Sequence, residues 1–371
     1  MYDAIIVGGR CAGSPAAMLL ARKGYRVLVL DRDTFPSDIM STHFMQQPAT
    51  ESLRRWGLVD ELVATGCPPI RRVTLRLGEL QAPPPDGTPQ VTYCPRRTIL
   101  DKILVDAAIG AGAEVREGVS VQELIFDGER VAGVRAKSRD GAIFTEDARI
   151  VIGADGIHSL VARQVDAPTY DEHPAMTCGY YSYWSGIVGE NAELCLHNDT
   201  GVLAFPTHHG MTCVALMRRI GDFREFRSDI DGNYRRYAAA ALPMIGDQLA
   251  TATREEKYIG TAETQNYFRR PYGPGWALVG DAGYHRDPVT GLGIMDAFRD
   301  AELLADAIDE GFAGRAPLDD AMAAYEQKRN AAAKPDYERT LFIATLPSAE
   351  EMIKAMTEQA QAHAQPAARA V

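Results

Sequence analysis

The chain has 371 residues, 46% of them apolar and 24% charged, which is ample for two or three lobes without disulfides or a structural metal. Its 39 Lys and Arg stand against 50 Asp and Glu, and the net charge of −11 disfavours nucleic acid or an anionic membrane as a partner. None of its six cysteines forms a C-x-x-C pair, and the N-terminus has neither a leader-like segment nor an apolar run of membrane-spanning length. A reduced, cytoplasmic protein without a metal site is expected.

In chain order, Ile5-Ile6-Val7 reads as a buried strand, Ser14 to Lys23 as a helix closed by Gly24, and Val27 to Leu30 as a second strand. Such a βαβ unit requires a parallel sheet covered by helices. Helical spacing returns over about 50–65 and stops at Pro68-Pro69. Val73, Leu75 and Leu77 alternate as in a half-buried strand, Pro83 to Gly87 marks a turn, and Val91 to Cys94 reads as a returning strand. A helix over Thr98–Ala111 leads to a strand at Glu114-Val115-Arg116. Hairpin turns at Asp127–Arg130 and Arg139–Gly141 then predict a small β-meander, ending in Ile150-Val151-Ile152-Gly153. From about 172 to 220 the pattern is all-β, and from about 222 to 250 it is helical. Trp276 to Val279 predicts another buried strand. Helices are expected over about 292–310 and 319–359, with a frayed end after 360.

Three motifs carry chemistry. Gly8-Gly9-Arg10-Cys11-Ala12-Gly13 lies between strand and helix, where a tight turn and a helix N-terminus attract a pyrophosphate. Asp31 ends the following strand, placed to accept hydrogen bonds from an adenosine ribose, with Arg32 beside it. Asp155-Gly156 follows a second buried strand. Gly280-Asp281-Ala282-Gly283 follows a third, and Pro288, Gly291 and Gly293 then precede a helix whose positive end suits charge on a reduced flavin.

In this order and spacing the motifs resemble the FAD-dependent monooxygenases of the para-hydroxybenzoate hydroxylase type, over roughly residues 3 to 330. The resemblance implies an α/β fold. Its parts are a Rossmann-like, glutathione-reductase-type FAD domain (1–71, 96–171 and 270–330), an antiparallel substrate domain (72–95 and 172–269) and C-terminal helices (331–371). It also implies that Gly8, Arg10, Cys11, Ala12, Gly13 and Ser14 cradle the pyrophosphate, and that Asp31 and Arg32 meet the adenosine. Arg97 would contact FAD near its phosphates and ribityl chain, Val121 would lie by the adenine, and Asp155 belongs to the second motif. Gly280, Asp281, Gly291, Leu292, Gly293 and Ile294 would hold the ribityl chain and ring, with Pro288 beside the reactive carbon.

The sequence departs from that pattern in four places. Arg10 replaces the middle glycine, where it can reach a phosphate as a charged fork. Tyr284 stands where histidine is common, with His285 one residue later; Met295-Asp296 stands in place of an asparagine, and Ser41-Thr42-His43 where arginine is frequent.

No second glycine fingerprint follows a strand, since Gly110-Ala111-Gly112 precedes one, and there is no C-x-x-x-x-C disulfide motif. The reaction the resemblance implies therefore has NAD(P)H as a transient co-substrate and O2 as oxidant. A flavin C4a-hydroperoxide would hydroxylate an aromatic or polyketide-like small molecule. Tyr181, Tyr183 and Phe205 are the expected substrate residues, although each is equally the kind of side chain that packs a core. His43, His285 and Pro288 are the candidates nearest the chemistry. A C=C reductase or dehydrogenase like the geranylgeranyl reductases shares the three motifs. A flavin-binding protein without turnover is the alternative from another class. The halogenase motif W-x-W-x-I-P is absent, Trp184 being followed by Ser185-Gly186-Ile187.

Overall fold

The computed structural model describes residues 1–78, 80, 81 and 91–364, so the turn expected at Pro83–Gly87 lies outside the described residues. The chain divides into two compact units, each assembled from three stretches. The first comprises Met1–Cys67, Thr92–Pro174 and Gln265–Glu338; the second, Pro68–Val91, Ala175–Thr264 and Arg339–Val371.

In the first unit, strand Tyr2–Val7 lies between strands Val27–Asp31 and Ile143–Gly153, all parallel. Glu114–Glu117 extends the parallel set on one side and Trp276–Leu278 on the other. These strands read as continuous apolar runs because both faces are covered. Ala4, Ile6, Val27, Val29, Ile150 and Ile152 pack under a helical layer that brings Leu20, Leu53, Leu104 and Phe298. Ile5, Leu28, Leu30 and Val151 face the antiparallel meander Val119–Asp127, Arg130–Ser138 and Ile143–Gly153, which contributes Val121 and Val134. Alternation along each strand decides which core a residue joins.

Three expectations change in this unit. The helix read over 50–65 is two helices, Gln47–Trp56 and Val59–Ala64, because Gly57 adopts φ +82° and ends the first. The return strand at 91–94 is only Thr92–Tyr93, and it does not pair with 73–77. Thr92 instead shares its hydroxyl with Thr50 at 2.9 Å and donates to the Met45 carbonyl at 3.0 Å. A separate C-terminal segment does not begin at 331, since helix Leu318–Ala344 crosses that point unbroken. Before it, Tyr325 donates to the Leu278 carbonyl at 3.0 Å; beyond it, Tyr337 is buried edge-on against Phe268, 4.9 Å between centroids. The stretches on either side of 331, as far as Glu338, are thereby tied to one core. A small sheet of Thr169–His173, Asn266–Arg269 and Tyr284–His285, not expected from sequence, completes the unit. Its short, charged strands carry little apolar periodicity.

The second unit is built on a sheet in the order Thr253–Arg254, Thr177–Ser185, Thr212–Arg219, Thr200–Pro206, Ala192–His197, Val73–Leu77, Leu80–Gln81. The strand at 73–77 therefore finds its parallel partner more than a hundred residues downstream. Helices Ile230–Ala241 and Pro243–Thr251 cover one face, where Tyr180, Trp184, Val202, Val214 and Leu216 meet Phe226, Tyr234 and Leu249. All six cysteines are buried: Cys11, Cys67 and Cys94 in the first unit, Cys178, Cys195 and Cys213 in the second. Among the described residues no helix is long and apolar enough to cross a membrane.

Candidate functional site

The three motifs, far apart in sequence, meet at the carboxyl ends of the parallel strands of the first unit. Gly8 adopts φ +99°, and a Cβ there would lie 2.5 Å from the Ala154 carbonyl oxygen, immediately before Asp155. A Cβ on Gly280, at φ +62°, would lie 2.7 Å from the Cβ of Ala12. One on Gly13 would fall 1.8 Å from the Gly8 carbonyl oxygen. The fingerprint turn is thus wedged between the other two loops, with no room for side chains at the contacts.

Helix Gly13–Arg22 starts at this turn and points its N-terminal amides to the strand ends. Asp31 accepts the Gly9 amide at 2.6 Å and the Asp33 amide at 2.8 Å, and burial pushes its carboxyl up from the usual range. The Ser14 hydroxyl donates to the Gly9 carbonyl at 2.6 Å, so it braces the turn from within.

Arg10 fills the middle-glycine position differently from the phosphate fork expected. Its guanidinium donates to Asp101 at 2.6 Å, to Asp33 at 2.9 Å and to the Ser37 hydroxyl at 2.9 Å, and it lies over the Phe35 ring. Two carboxylates already take the fork. Asp101 is fully buried in the first helical turn after Arg97, and it accepts both Arg97 Nε and Nη2, at 2.9 and 3.0 Å. The Cys11 thiol completes its shell at 3.3 Å, and burial raises that thiol well above its ordinary range. The two guanidinium groups and the Asp33 and Asp101 carboxylates form one paired network beside the turn, which fixes Arg97 there.

Asp155 accepts the Ser159 hydroxyl at 2.5 Å and the Leu160 amide at 2.6 Å, capping the short helix that follows. Asp281 is exposed, while its carbonyl takes the Tyr267 hydroxyl at 2.7 Å. Glycines that a Cβ would fill, a helix N-terminus and a paired acid at the second strand together fit a dinucleotide such as FAD.

A family described as "FAD binding domain" matches residues 1–340. The chain belongs to this FAD-binding family. Digeranylgeranylglycerophospholipid reductase 2 of Methanopyrus kandleri is 30% identical over 330 residues, covering 83% of this chain and 78% of that one. Among solved structures, the myxobacterial chondrochloren halogenase, a variant FAD-dependent halogenase, is 26% identical with a TM-score of 0.82, covering 91% of this chain and 81% of that one. A probable FAD-dependent monooxygenase of Pseudomonas aeruginosa has a TM-score of 0.79 at 21% identity, covering 93% and 96%, and shares the fold.

In this FAD-binding chain the loop after Gly280 is held from several sides. Pro288 starts a single 3-10 turn closed by Gly291 at φ +63°, against which Phe44 packs. Gln46 donates to the Thr290 carbonyl at 3.1 Å, so the segment carrying His43 lies along this turn. His43 is buried at φ 43°, its amide donating to the Ser41 hydroxyl at 3.0 Å. His285 sets Nδ1 against the Gln265 carbonyl and stacks on Tyr267, which ties it into the small sheet. Buried Arg329 donates to the Gly283 carbonyl at 3.0 Å and fixes the loop from beneath.

Leu292 and Ile294 are buried, and Gly293 opens the helix Gly293–Phe312. Asp296, in the asparagine position, is buried between Arg286 at 2.5 Å and Arg299 at 2.9 Å. Burial drives its carboxyl up to about 6, while the two guanidinium groups oppose the shift. Val121 points into the core, so only its backbone is available to an adenine; Arg32 is exposed.

In the second unit the strand register answers a separate question. Tyr181 pairs with Ala215, which pairs with Leu203; Tyr183 and Phe205 both pair with Cys213. Tyr181, Tyr183 and Phe205 therefore share one face, opposite the helix-covered one, and the two tyrosine rings meet edge-on at 5.9 Å. Sequence reasoning missed Asp101, Arg286 and Arg329. Asp101 had a signal, four residues after Arg97 on a helix. The pairing of Arg286 with Asp296 had none beyond the unusual Asp296.

Proposed function

We propose that this flavoenzyme is a single-component monooxygenase, using NAD(P)H and O2 to hydroxylate an aromatic or polyketide-like small molecule. The observation that supports this reading is the shared face of Tyr181, Tyr183 and Phe205, three buried aromatic side chains on one side of the second unit's sheet that would offer a planar guest edge and stacking contacts. FAD, when bound, supplies electron transfer from the nicotinamide and delivery of an oxygen atom. Gly8 to Ser14, with Arg97 set by Asp101, would hold the diphosphate. Asp31 would meet the adenosine ribose, and the turn Pro288–Gly291 with Leu292 to Ile294 would seat the ring. Buried His43 would help keep bulk water from the reacting edge.

The test is to reduce the purified yellow protein without oxygen, admit oxygen, and follow flavin absorbance on the millisecond scale. A transient species before the oxidised spectrum, lengthened by a phenolic ligand, is expected. A featureless return with every ligand would end the hydroxylase reading. A second reading, a reductase of C=C bonds, is favoured by the 30% identity to a digeranylgeranylglycerophospholipid reductase. It predicts oxygen-independent saturation of a prenyl chain by the reduced protein.

A further inference from the structure

Between strand Val27–Asp31 and helix Gln47–Trp56 the chain carries neither helix nor strand. Its near end is clipped to the fingerprint turn. One oxygen of the Asp31 carboxylate takes the Gly9 amide at 2.6 Å, and the other takes the Asp33 amide at 2.8 Å. Its far end lies on the Pro288–Gly291 turn, where Gln46 donates to the Thr290 carbonyl at 3.1 Å and Phe44 packs against Gly291. The segment therefore runs from the turn assigned to the diphosphate to the turn assigned to the flavin ring, all within the first unit. So long an irregular stretch has no backbone ladder to fix it, and side chains must do so.

Two arginines hold it. Arg10 projects from the fingerprint turn and meets every second residue of the segment. Its Nη2 donates to the Asp33 carboxylate and to the Ser37 hydroxyl, both at 2.9 Å, and the guanidinium lies over the Phe35 ring. Its Nη1 is anchored on buried Asp101 at 2.6 Å. Arg96, which caps the helix carrying Asp101, donates to the Asp38 carboxylate at 3.1 Å. Beyond these latches the chain turns outward, leaving Ile39 37% and Met40 49% exposed, before it returns to buried His43, Phe44 and Met45. Charge-assisted hydrogen bonds, and not apolar packing, thus close this part of the strap.

Latches that close on the protein itself contribute alike to the empty and the occupied chain. They leave the equilibrium affinity for a ligand unchanged, but they slow its passage in both directions. We propose that the segment 33–42 is a gate over the FAD site, shut by Arg10 and Arg96, which slows cofactor exchange without tightening cofactor binding. It gives the arginine at the middle-glycine position a role that no phosphate contact supplies. The gate rests on the FAD assignment and is independent of the reaction that the flavin performs.

The test follows exchange of bound FAD for radiolabelled FAD in the holoprotein and measures the dissociation constant of FAD by ultrafiltration. It compares the native chain with Ser37→Ala/Asp38→Asn, two strap positions outside the cofactor cradle. Exchange should quicken at least about tenfold while the dissociation constant changes less than about threefold. Asp38→Glu, which keeps the carboxylate, should retain slow exchange. Unchanged exchange in the double variant overturns the gate. So does a dissociation constant that rises in step with the exchange rate, the signature of a lost contact to FAD. If the double variant does not fold, Asp38→Asn alone carries the test, with exchange quickened at least about threefold. Folded but colourless Asp38→Asn protein also overturns the gate, because opening a latch should spare affinity. A native chain that takes up no FAD overturns the cofactor assignment itself, and the gate with it.

Discussion

The two units encode their sites in different ways. In the first, the site is backbone: glycines whose missing Cβ atoms let three loops touch, and a helix end that needs no particular side chain. In the second, the proposed substrate site is a face of a sheet, and which residues reach that face depends on strand register. A backbone site tolerates almost no substitution at its contacts but leaves a pattern in the sequence. A face tolerates many substitutions and leaves only a parity.

The comparison breaks first, if it is wrong, at Gly13. Gly13→Ala places a methyl 1.8 Å from the Gly8 oxygen, so the helix must move. Purified protein is expected to be colourless and destabilised by about 3 kcal/mol or more. Retained flavin at wild-type stability would refute the tight-turn account.

Next is Asp101→Asn, which leaves the Arg97 and Arg10 guanidinium groups with a neutral partner in a buried site. A loss of about 3–5 kcal/mol in urea denaturation is expected, with weaker flavin retention. An unchanged midpoint would mean that the ion pairs of Asp101 with Arg10 and Arg97 carry no energy.

The neighbours Tyr180 and Tyr181 sharpen the parity claim. Tyr180 packs on Phe226, 4.7 Å between centroids, beneath the helices, and Tyr180→Ala should cost about 3 kcal/mol of stability. Tyr181→Phe should shift the melting temperature little and show its effect in KM for substrate. Equal stability losses from both would erase the distinction between faces.

The smallest effect concerns Asp296. Its folded carboxyl titrates near 6 against an ordinary 3.8, so the folded chain holds that proton more tightly than the unfolded chain does. Its contribution to stability is therefore present at low pH and is lost as pH rises from about 4 to about 6. Asp296→Asn should remove that part of the slope, measured as the difference between the two stability–pH curves. Parallel curves would show that Asp296 does not titrate there.

The same contrast explains what the sequence disclosed. Gly8, Gly13, Asp31 and Gly280 were legible because each answers a local steric or capping demand. The continuous apolar runs likewise announced parallel strands buried on both faces. Arg10 was visible as a departure, but its partners Asp33 and Asp101 were not, because a side-chain fork chooses among acids by distance in space. The break at Gly57 was overridden by helical spacing on either side of it. The pairing of Val73–Leu77 with Ala192–His197 is a contact between distant segments that no local pattern records.

The six buried thiols have a use of their own. A reagent that modifies only exposed thiols must wait for the chain to open, so its rate in native buffer measures opening free energy. Three reporters fall in each unit. The two halves of the molecule therefore carry separate clocks, and mass spectrometry of the labelled peptides would tell whether they open together or one at a time.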